Sequence, residues 1–294
     1  MRAGRFASQI GYLNEQHPHT DDFVERPLLY RAFLGNHWND DGVRLNWTAP
    51  TDLYLRLGVE VFRGRRLVED AARGRKPGAF VLSGRMGGDV GASHSWQAGL
   101  SMLRNRREAA VHDHGHGHED EEHGHEEHED DDDHGHEDDH GDAHAGHSHA
   151  HGAAFSGRTM WLGEVAWKWA PDGNNRNQQL RVAYEHAVIR GLNRYASDSD
   201  RHQAGYLSVV WRFAPAWEAG ARADVLRVSE PHEDHFDPGR MREASLMLAY
   251  KPTHAQTVRV QYTRQRNGAG FDTATHAVFL QYILNFGSHA AHSF

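Results

Sequence analysis

The sequence has no cysteine, only three lysines, and no long apolar run in its 294 residues. The missing cysteine excludes disulfides, thiol catalysis and cysteine-type zinc sites, and it is compatible with an exported protein. No stretch approaches the roughly 18 consecutive apolar residues that a membrane-spanning helix needs. A first interpretation would therefore be a soluble protein, but the charge and the strand pattern point elsewhere.

Charge is distributed very unevenly along the chain. The formal net charge is −9. The stretch 112–151 contributes −16 of it without a single base, so the other residues carry a net +7. Because the largest electrostatic feature is acidic, nucleic acid is not an expected partner.

The residues 112–151, called the His tract below, have a composition suited to metal binding. Of these 40 residues 14 are His and 16 are Asp or Glu, and the others are Gly, Ala or Ser. Without large apolar side chains the tract cannot offset the entropy of folding, so we predict a disordered loop. Imidazole and carboxylate are ligands for zinc, and copper and nickel also take imidazole. The alternative is a solvated polyanionic loop. We predict several weakly held Zn²⁺ ions and none tightly bound, with these ligands: His112, His114, His116, His118, His123, His125, His128, His134, His136, His140, His144, His147, His149 and His151.

Outside the His tract, apolar side chains recur at every second position, which predicts β-strands. In 53–61, for example, the odd positions are Leu or Val and the even ones are Tyr, Arg, Gly and Glu. Twelve segments follow such a pattern: 3–13, 41–48, 53–63, 78–88, 93–105, 159–169, 178–190, 201–213, 217–228, 240–251, 256–266 and 274–287.

Strand length and loop length together favour a membrane barrel. Most segments run ten to thirteen residues, whereas soluble strands average five or six and a tilted transmembrane strand needs roughly 9–11. Long connections, such as 14–40 and 106–158, alternate with short ones, such as 49–52. We therefore predict an all-β fold, a transmembrane antiparallel β-barrel with about twelve strands in this chain. A soluble lipocalin-like barrel or β-sandwich is the alternative.

The end of the chain suggests an orientation. The apolar parity of the last segment continues through Phe286 toward the terminal Phe294, which resembles the export and assembly signal of bacterial outer-membrane proteins. This resemblance implies outer-membrane lipid and the barrel assembly machinery as partners, with short turns in the periplasm and long loops outside. Residues 1–294 then form one barrel, with 106–158 inserted as an extracellular His/Asp/Glu-rich loop.

The polar face of the segments carries more bases than acids, which suits a water-filled pore of weak anion preference. The alternative is that these groups pair with one another across the lumen. The predicted pore-lining residues are Arg44, Arg56, Arg85, Arg181, Arg212, Arg222 and Arg259, and Arg5 is placed on the same face. Two predicted outside loops add candidate metal ligands: His17, His19, His232 and His235.

The sequence offers no catalytic constellation, so we do not expect an enzyme. It contains no phosphate loop, no His-Glu-x-x-His motif and no nucleophile elbow. Acidic pairs such as Glu233 and Asp234 lie in a charged loop without an apolar pocket to tune them.

The runs GRFASQIGYLNEQHPHTDDFVERPLLYRAFLG, DDGVRLNW and LYLRLGVEVFRG resemble the middle of phosphate-selective-porin-type barrels. A Gly-Arg-Phe strand precedes a long loop with Phe23, Glu25 and Arg26, and a strand with Gly42 and Val43 follows. With the His tract and the ending QYILNFGSHAAHSF, the chain is similar to bacterial outer-membrane proteins described as zinc-regulated or TonB-dependent receptors. Barrels of this kind have more than twelve strands. The resemblance therefore implies an N-terminally truncated chain with its signal peptide and first strands upstream.

The preferred hypothesis is an outer-membrane porin-like channel whose His tract captures zinc, or a similar divalent ion, for passage into the periplasm. One alternative is the C-terminal barrel part of a TonB-dependent metal receptor. Another is a surface metal-buffering protein with a closed lumen and no transport. The sequence leaves the oligomeric state open, including a homo-oligomer.

Overall fold

The computed structural model describes residues 1–67, 77–106, 153–232, 235–253, 255–266 and 276–285. They form one antiparallel sheet of twelve strands, in which each strand pairs with the next along the chain. The strands are β1 Arg2–Ala7, β2 Asn39–Thr48, β3 Tyr54–Phe62, β4 Ala79–Val90, β5 His94–Asn105, β6 Thr159–Trp169, β7 Gln179–Arg190, β8 Arg201–Ala214, β9 Trp217–His232, β10 His235–Thr253, β11 Gln256–Arg266 and β12 His276–Leu284.

The prediction of an all-β fold with twelve strands is confirmed. Three strands, β1, β9 and β10, differ clearly from their predicted course. β1 ends at Ala7 instead of residue 13, and the chain then leaves the sheet. The predicted loop 229–238 is wrong, because β9 and β10 continue through it with Glu230 paired to Asp237 and His232 paired to His235. Backbone hydrogen bonding satisfies these polar groups in the sheet, which the charged composition of the stretch did not reveal.

The sheet has the polarity of a membrane protein. On one face large apolar side chains are exposed, among them Leu246 at 61% and Leu280 at 77%. On the other face the charged side chains of Glu60 and Glu185 are fully buried. A soluble barrel would show the reverse, whereas a strand in lipid places apolar side chains outward and polar side chains inward.

In the described ranges, helical structure is limited to short pieces between strands. The helix α1, Leu28–Leu34, and a single helical turn, Pro18–Thr20, lie between β1 and β2. Among the described residues no helix is long and apolar enough to cross a membrane. The described strands do not close into a ring, since β1 pairs only with β2 and β12 only with β11 among them.

Candidate functional site

Residues 8–38, called the luminal segment below, fold against the inner face of the sheet. Its backbone N–H groups donate to inward side chains of widely separated strands. Gln9 donates to Glu60 on β3 at 3.0 Å, and Tyr12 donates to Glu185 on β7 at 2.6 Å. The same segment also reaches β9 and β11, through Leu28 and Val24. The sheet therefore curves around the luminal segment.

The prediction that residues 14–40 form an external loop is wrong. The physical reason is the chemistry of the inner face, where carboxylates and amides accept backbone hydrogen bonds from a segment without its own sheet partner. A segment that lies inside the sheet narrows the space through which a solute could pass.

Glu15 anchors the luminal segment to β3 and β4. It accepts a hydrogen bond from Arg56 at 2.7 Å and pairs with Arg85, which also donates to Glu164 on β6 at 2.5 Å. Burial alone would raise the pKa of Glu15, but the charges of Arg85 and Arg56 outweigh it and lower the pKa. The carboxylate is thus held ionised between two guanidinium groups.

A second anchor joins the luminal segment to β7 and β9. Arg181 donates to Asp22 at 2.6 Å and to Glu218 at 3.2 Å. Glu218 also accepts hydrogen bonds from Arg212 at 2.6 Å and from Lys251 at 2.7 Å. Three cationic groups therefore surround one buried carboxylate.

The third anchor surrounds Arg222 on β9. This guanidinium donates to Asp224 at 2.7 Å, to Glu243 at 2.8 Å and to the carbonyl oxygen of Glu25 at 2.6 Å. Arg31 of α1 also pairs with Glu243. The network ties the helix to three strand residues, and the side chains of Arg222, Asp224 and Glu243 are buried.

Asp21 occupies a less favourable place in the luminal segment. It accepts hydrogen bonds from Arg26 at 2.7 and 3.1 Å. Burial nevertheless dominates, and it raises the pKa of Asp21 to about 6 against the opposing effect of Arg26. Its backbone carbonyl accepts a hydrogen bond from Arg259 at 2.7 Å.

The structure places all seven predicted pore-lining arginines on the inner face; six form ion pairs, and Arg259 makes hydrogen bonds to neutral groups. Arg44 pairs with Glu60, and Arg259 donates to Gln281 as well as to Asp21. Arg5 is the exception to the predicted face, because it lies outward with Asp41 at 3.0 Å. Phe6, its neighbour in β1, is the side chain that turns inward.

Two cavities open beside the luminal segment, on the side of the short turns. One is lined by Glu15, Arg56, Arg85, Trp96 and Gln97, among others. The other includes Asp22, Lys168, Arg181 and Arg222 in its lining. Tyr12 and Gln16 line both cavities, so the luminal segment lies between them.

The long-loop side of the lumen is filled by apolar side chains. Leu29 and Phe33 of α1 are buried in a cluster with Phe62, Leu162 and Leu226 of the strands. α1 is held there by local signals: Pro27 precedes it, and Gly35 ends it with a left-handed φ of 54°. The cluster fills the inner side of the sheet at the end opposite to the cavities.

The predicted metal ligands have different outcomes. The rings of His17 and His19 are exposed and stacked, with centroids 5.5 Å apart. His232 and His235 pair across the β9–β10 hairpin. In the ranges that the structure describes, no group of three or more His, Asp or Glu side chains is arranged to hold a metal ion. The 14 histidines of the His tract and Phe294 lie outside the described residues.

The luminal segment is the feature that sequence reasoning missed. Pro27 and Gly35 around an apolar run were available as helix signals. The long-range partners of the segment, by contrast, have no signal in a single sequence.

The fold and the luminal network define a class, a membrane β-barrel-type sheet with a charged interior and an inserted segment. No family model matches the chain. It is 25% identical over 315 residues to an uncharacterized protein of Aquifex aeolicus (strain VF5). That alignment covers all of this chain and 60% of the relative, so the chain spans about three fifths of the relative's length.

Two solved structures are similar in outline. The first is the outer-membrane expressed OmpT of Vibrio cholerae, with a TM-score of 0.47, 9% identity, and coverage of 90% of this chain and 66% of the other. The second is a deletion mutant of the TodX monoaromatic hydrocarbon channel, with a TM-score of 0.32, 11% identity, and coverage of 85% and 74%.

Proposed function

We propose that the protein is a porin-like channel of the outer membrane and that the luminal segment constricts its pore. One observation carries this proposal: a charged segment lies inside the sheet, anchored by ion pairs, and leaves cavities with charged side chains in their lining on the short-turn side. Charged side chains around a constriction set the selectivity of such a pore. Paired arginines imply only a weak anion preference.

We propose further that the His tract collects zinc, or a similar divalent ion, which then passes to the periplasm by diffusion. Support comes from the donor chemistry of 14 His and 16 acidic residues. The tract joins β5 to β6 at the end where the long connections lie. Zinc is the cargo in this proposal and not a resident cofactor.

One observation favours a second candidate, a surface metal buffer with a closed lumen. The apolar cluster around α1 fills the long-loop end of the lumen. Conductance separates the two candidates, because a metal buffer needs no ion path through the sheet.

The experiment that tests the channel is conductance of the full chain in planar bilayers. We expect discrete openings, and larger ones when residues 17–34 are replaced by a short Gly/Ser linker. Absence of conductance from both proteins, with each folded by its heat-dependent shift on gels, would exclude the channel and favour the buffer.

A paired substitution tests the role of the constriction charges without deleting the segment. Glu15→Gln leaves Arg56 and Arg85 without their shared carboxylate, so the reversal potential should shift toward anions. Arg56→Glu should shift it toward cations. Asp41→Asn, on the outward face, is the control and should leave it unchanged. Equal potentials for all four proteins would place these side chains off the ion path.

A further inference from the structure

Six arginines form a row on the outward face of the sheet, in the half of five neighbouring strands that lies toward the long connections. This arginine row consists of Arg190 on β7, Arg201 on β8, Arg227 on β9, Arg240 and Arg242 on β10, and Arg266 on β11. All six are exposed. They lie on the face opposite to the luminal network, so they take no part in the proposed pore.

The register sets these arginines directly against one another. Arg190 pairs with Arg201, Arg227 with Arg240, and Arg242 with Arg266. The first two pairs are neighbours in the sheet, because Gln203 pairs with Arg227 and lies two residues after Arg201. Like charges directly opposite in a sheet are destabilising. In the described ranges, no carboxylate forms an ion pair with any of the six.

At the β1 edge of the same outward face, an arginine is paired with an acid. Arg5 on β1 pairs in register with Asp41 on β2, also near the long connection, and donates to it at 3.0 Å. Among the described residues no acid compensates the arginine row, so its guanidinium groups are open to an anionic ligand.

The arginine row borders the apolar belt of the sheet. Four residues beyond Arg242 on the same face lies Leu246, which is 61% exposed and pairs with Tyr262. Acyl chains cover such a belt in a membrane, and long basic side chains at its edge extend to the headgroups. A ligand of the row therefore has an acyl part next to its anionic part.

We propose that the arginine row binds phosphomonoester groups on lipid headgroups of the leaflet at the long-loop side. Guanidinium groups bind phosphate through paired N–H donors, and two opposed guanidiniums match the double charge of one phosphomonoester. This inference requires only that the sheet spans a membrane, so it stands apart from the proposed channel and zinc capture.

The test uses the full chain in uncharged detergent micelles and diphosphoryl lipid A as the probe. The variant combines Arg201→Gln, Arg227→Gln and Arg242→Gln, one from each opposed pair. Because each basic residue near an anionic surface contributes roughly 1 kcal/mol, the three changes should weaken binding by about 100-fold. Arg5→Gln is the matched control and should change binding less than twofold. The same lipid without its phosphates should bind the unaltered chain at least tenfold more weakly.

Thermal unfolding supplies a second readout that a merely structural role would not give. In lipid-free uncharged detergent the triple variant should unfold at a higher temperature than the unaltered chain, because like-charge pairs are removed. With diphosphoryl lipid A the order should reverse. Conductance should be the same for both proteins, so failure of the channel proposal would be seen separately.

Three outcomes would overturn the proposal. The first is equal binding of the phosphorylated and dephosphorylated lipid. The second is unchanged binding by a triple variant whose heat-dependent gel shift shows that it is folded. The third is full displacement of the lipid by millimolar inorganic phosphate, which would assign the row to free phosphate and not to a headgroup.

Discussion

Each buried carboxylate of the inner face accepts several hydrogen bonds. Glu185 accepts from the hydroxyl of Tyr30 at 2.9 Å, from the hydroxyl of Tyr206 at 2.5 Å and from the backbone of Tyr12 at 2.6 Å. Burying a charge is costly unless it is paired and hydrogen-bonded. At Glu185 the luminal segment supplies two of the hydrogen-bond donors, so the segment and the strands depend on each other.

Replacing Arg222 by Met should destabilise the sheet strongly. The change leaves Asp224 without its cation and Glu243 with only Arg31, in a site where both carboxylates are 0% exposed. Removing one partner from a buried ion pair costs roughly 3–5 kcal/mol. Denaturant unfolding in detergent measures the loss. Arg5→Met, which breaks an exposed and screened pair, should cost far less. Equal losses for the two variants would mean that burial does not govern these pairs.

Asp21 and Glu15 should give opposite pH dependences. Because burial raises the pKa of Asp21 from 3.8 to about 6, folding favours its protonated form. Its contribution to stability is fully present below pH about 4 and is lost as pH rises through about 6. The pKa of Glu15 is lowered, so its contribution is present above its unfolded pKa and is lost on acidification.

The measurement is the free energy of unfolding of Asp21→Asn and Glu15→Gln against the unaltered chain from pH 3.5 to pH 7.5. The free energy of unfolding of Asp21→Asn, relative to that of the unaltered chain, should increase as pH rises from about 4 to 6. The loss of unfolding free energy in Glu15→Gln should be largest near neutral pH and should become smaller on acidification. Parallel curves for both variants would contradict the assigned pKa directions.

At the level of elements, the sequence predicts the strands and not the luminal segment. Period-2 patterning is a local signal, so β11 was predicted with its observed ends, Gln256 and Arg266. The pattern also continues through Ile10 and Tyr12, which led to an overlong β1. What ends the strand is non-local, since Ser8 and Gln9 bind Glu60 instead of a neighbouring strand. A single sequence carries no record of such partners.

Glycine 11 is the point where the luminal segment turns inside the sheet. Gly11 has a φ of +75°, and a Cβ there would contact the hydroxyl of Tyr30 and lie 2.7 Å from the Glu185 carboxylate. Gly11→Ala should therefore separate the Tyr30–Glu185 hydrogen bond and cost about 2–4 kcal/mol. The control is Gly91→Ala, with a φ of +63° and open space around it, which should cost about 1–2 kcal/mol for the backbone alone.

Thermal unfolding and protease cleavage within the luminal segment test this prediction. We expect Gly11→Ala to lower the unfolding temperature further than Gly91→Ala and to increase cleavage at Arg26 and Arg31. Similar unfolding temperatures and cleavage for both variants would show that the contact with Tyr30 is not important for holding the segment.

At the scale of the whole molecule, the inner and outer faces have separate roles. Ion pairs inside hold a segment in the lumen, whereas the outward face changes from an apolar belt to the arginine row within one strand, as from Leu246 to Arg242 on β10. The alternation of apolar and polar residues in the sequence predicts which side chains lie on each face. It could not show that the inner bases are paired by residues of the luminal segment, because pairs such as Arg181 with Asp22 join residues far apart in the chain.

The His tract should bind several Zn²⁺ ions and be dispensable for the sheet. Histidines at 112, 114, 116 and 118 alternate with other residues, so neighbouring imidazoles can share one ion and exchange it quickly. Imidazole protonates near pH 6.5, and adjacent carboxylates favour the protonated form, so the zinc affinity should fall steeply between pH about 7.5 and about 5.5.

Loop closure adds only about 0.6 kcal/mol for each doubling of length. Replacing residues 110–153 by a short Gly/Ser linker should therefore leave folding and metal-free conductance unchanged. Calorimetry should show that the replacement removes most of the bound zinc, and an equal zinc stoichiometry in both proteins would refute the proposed role of the tract.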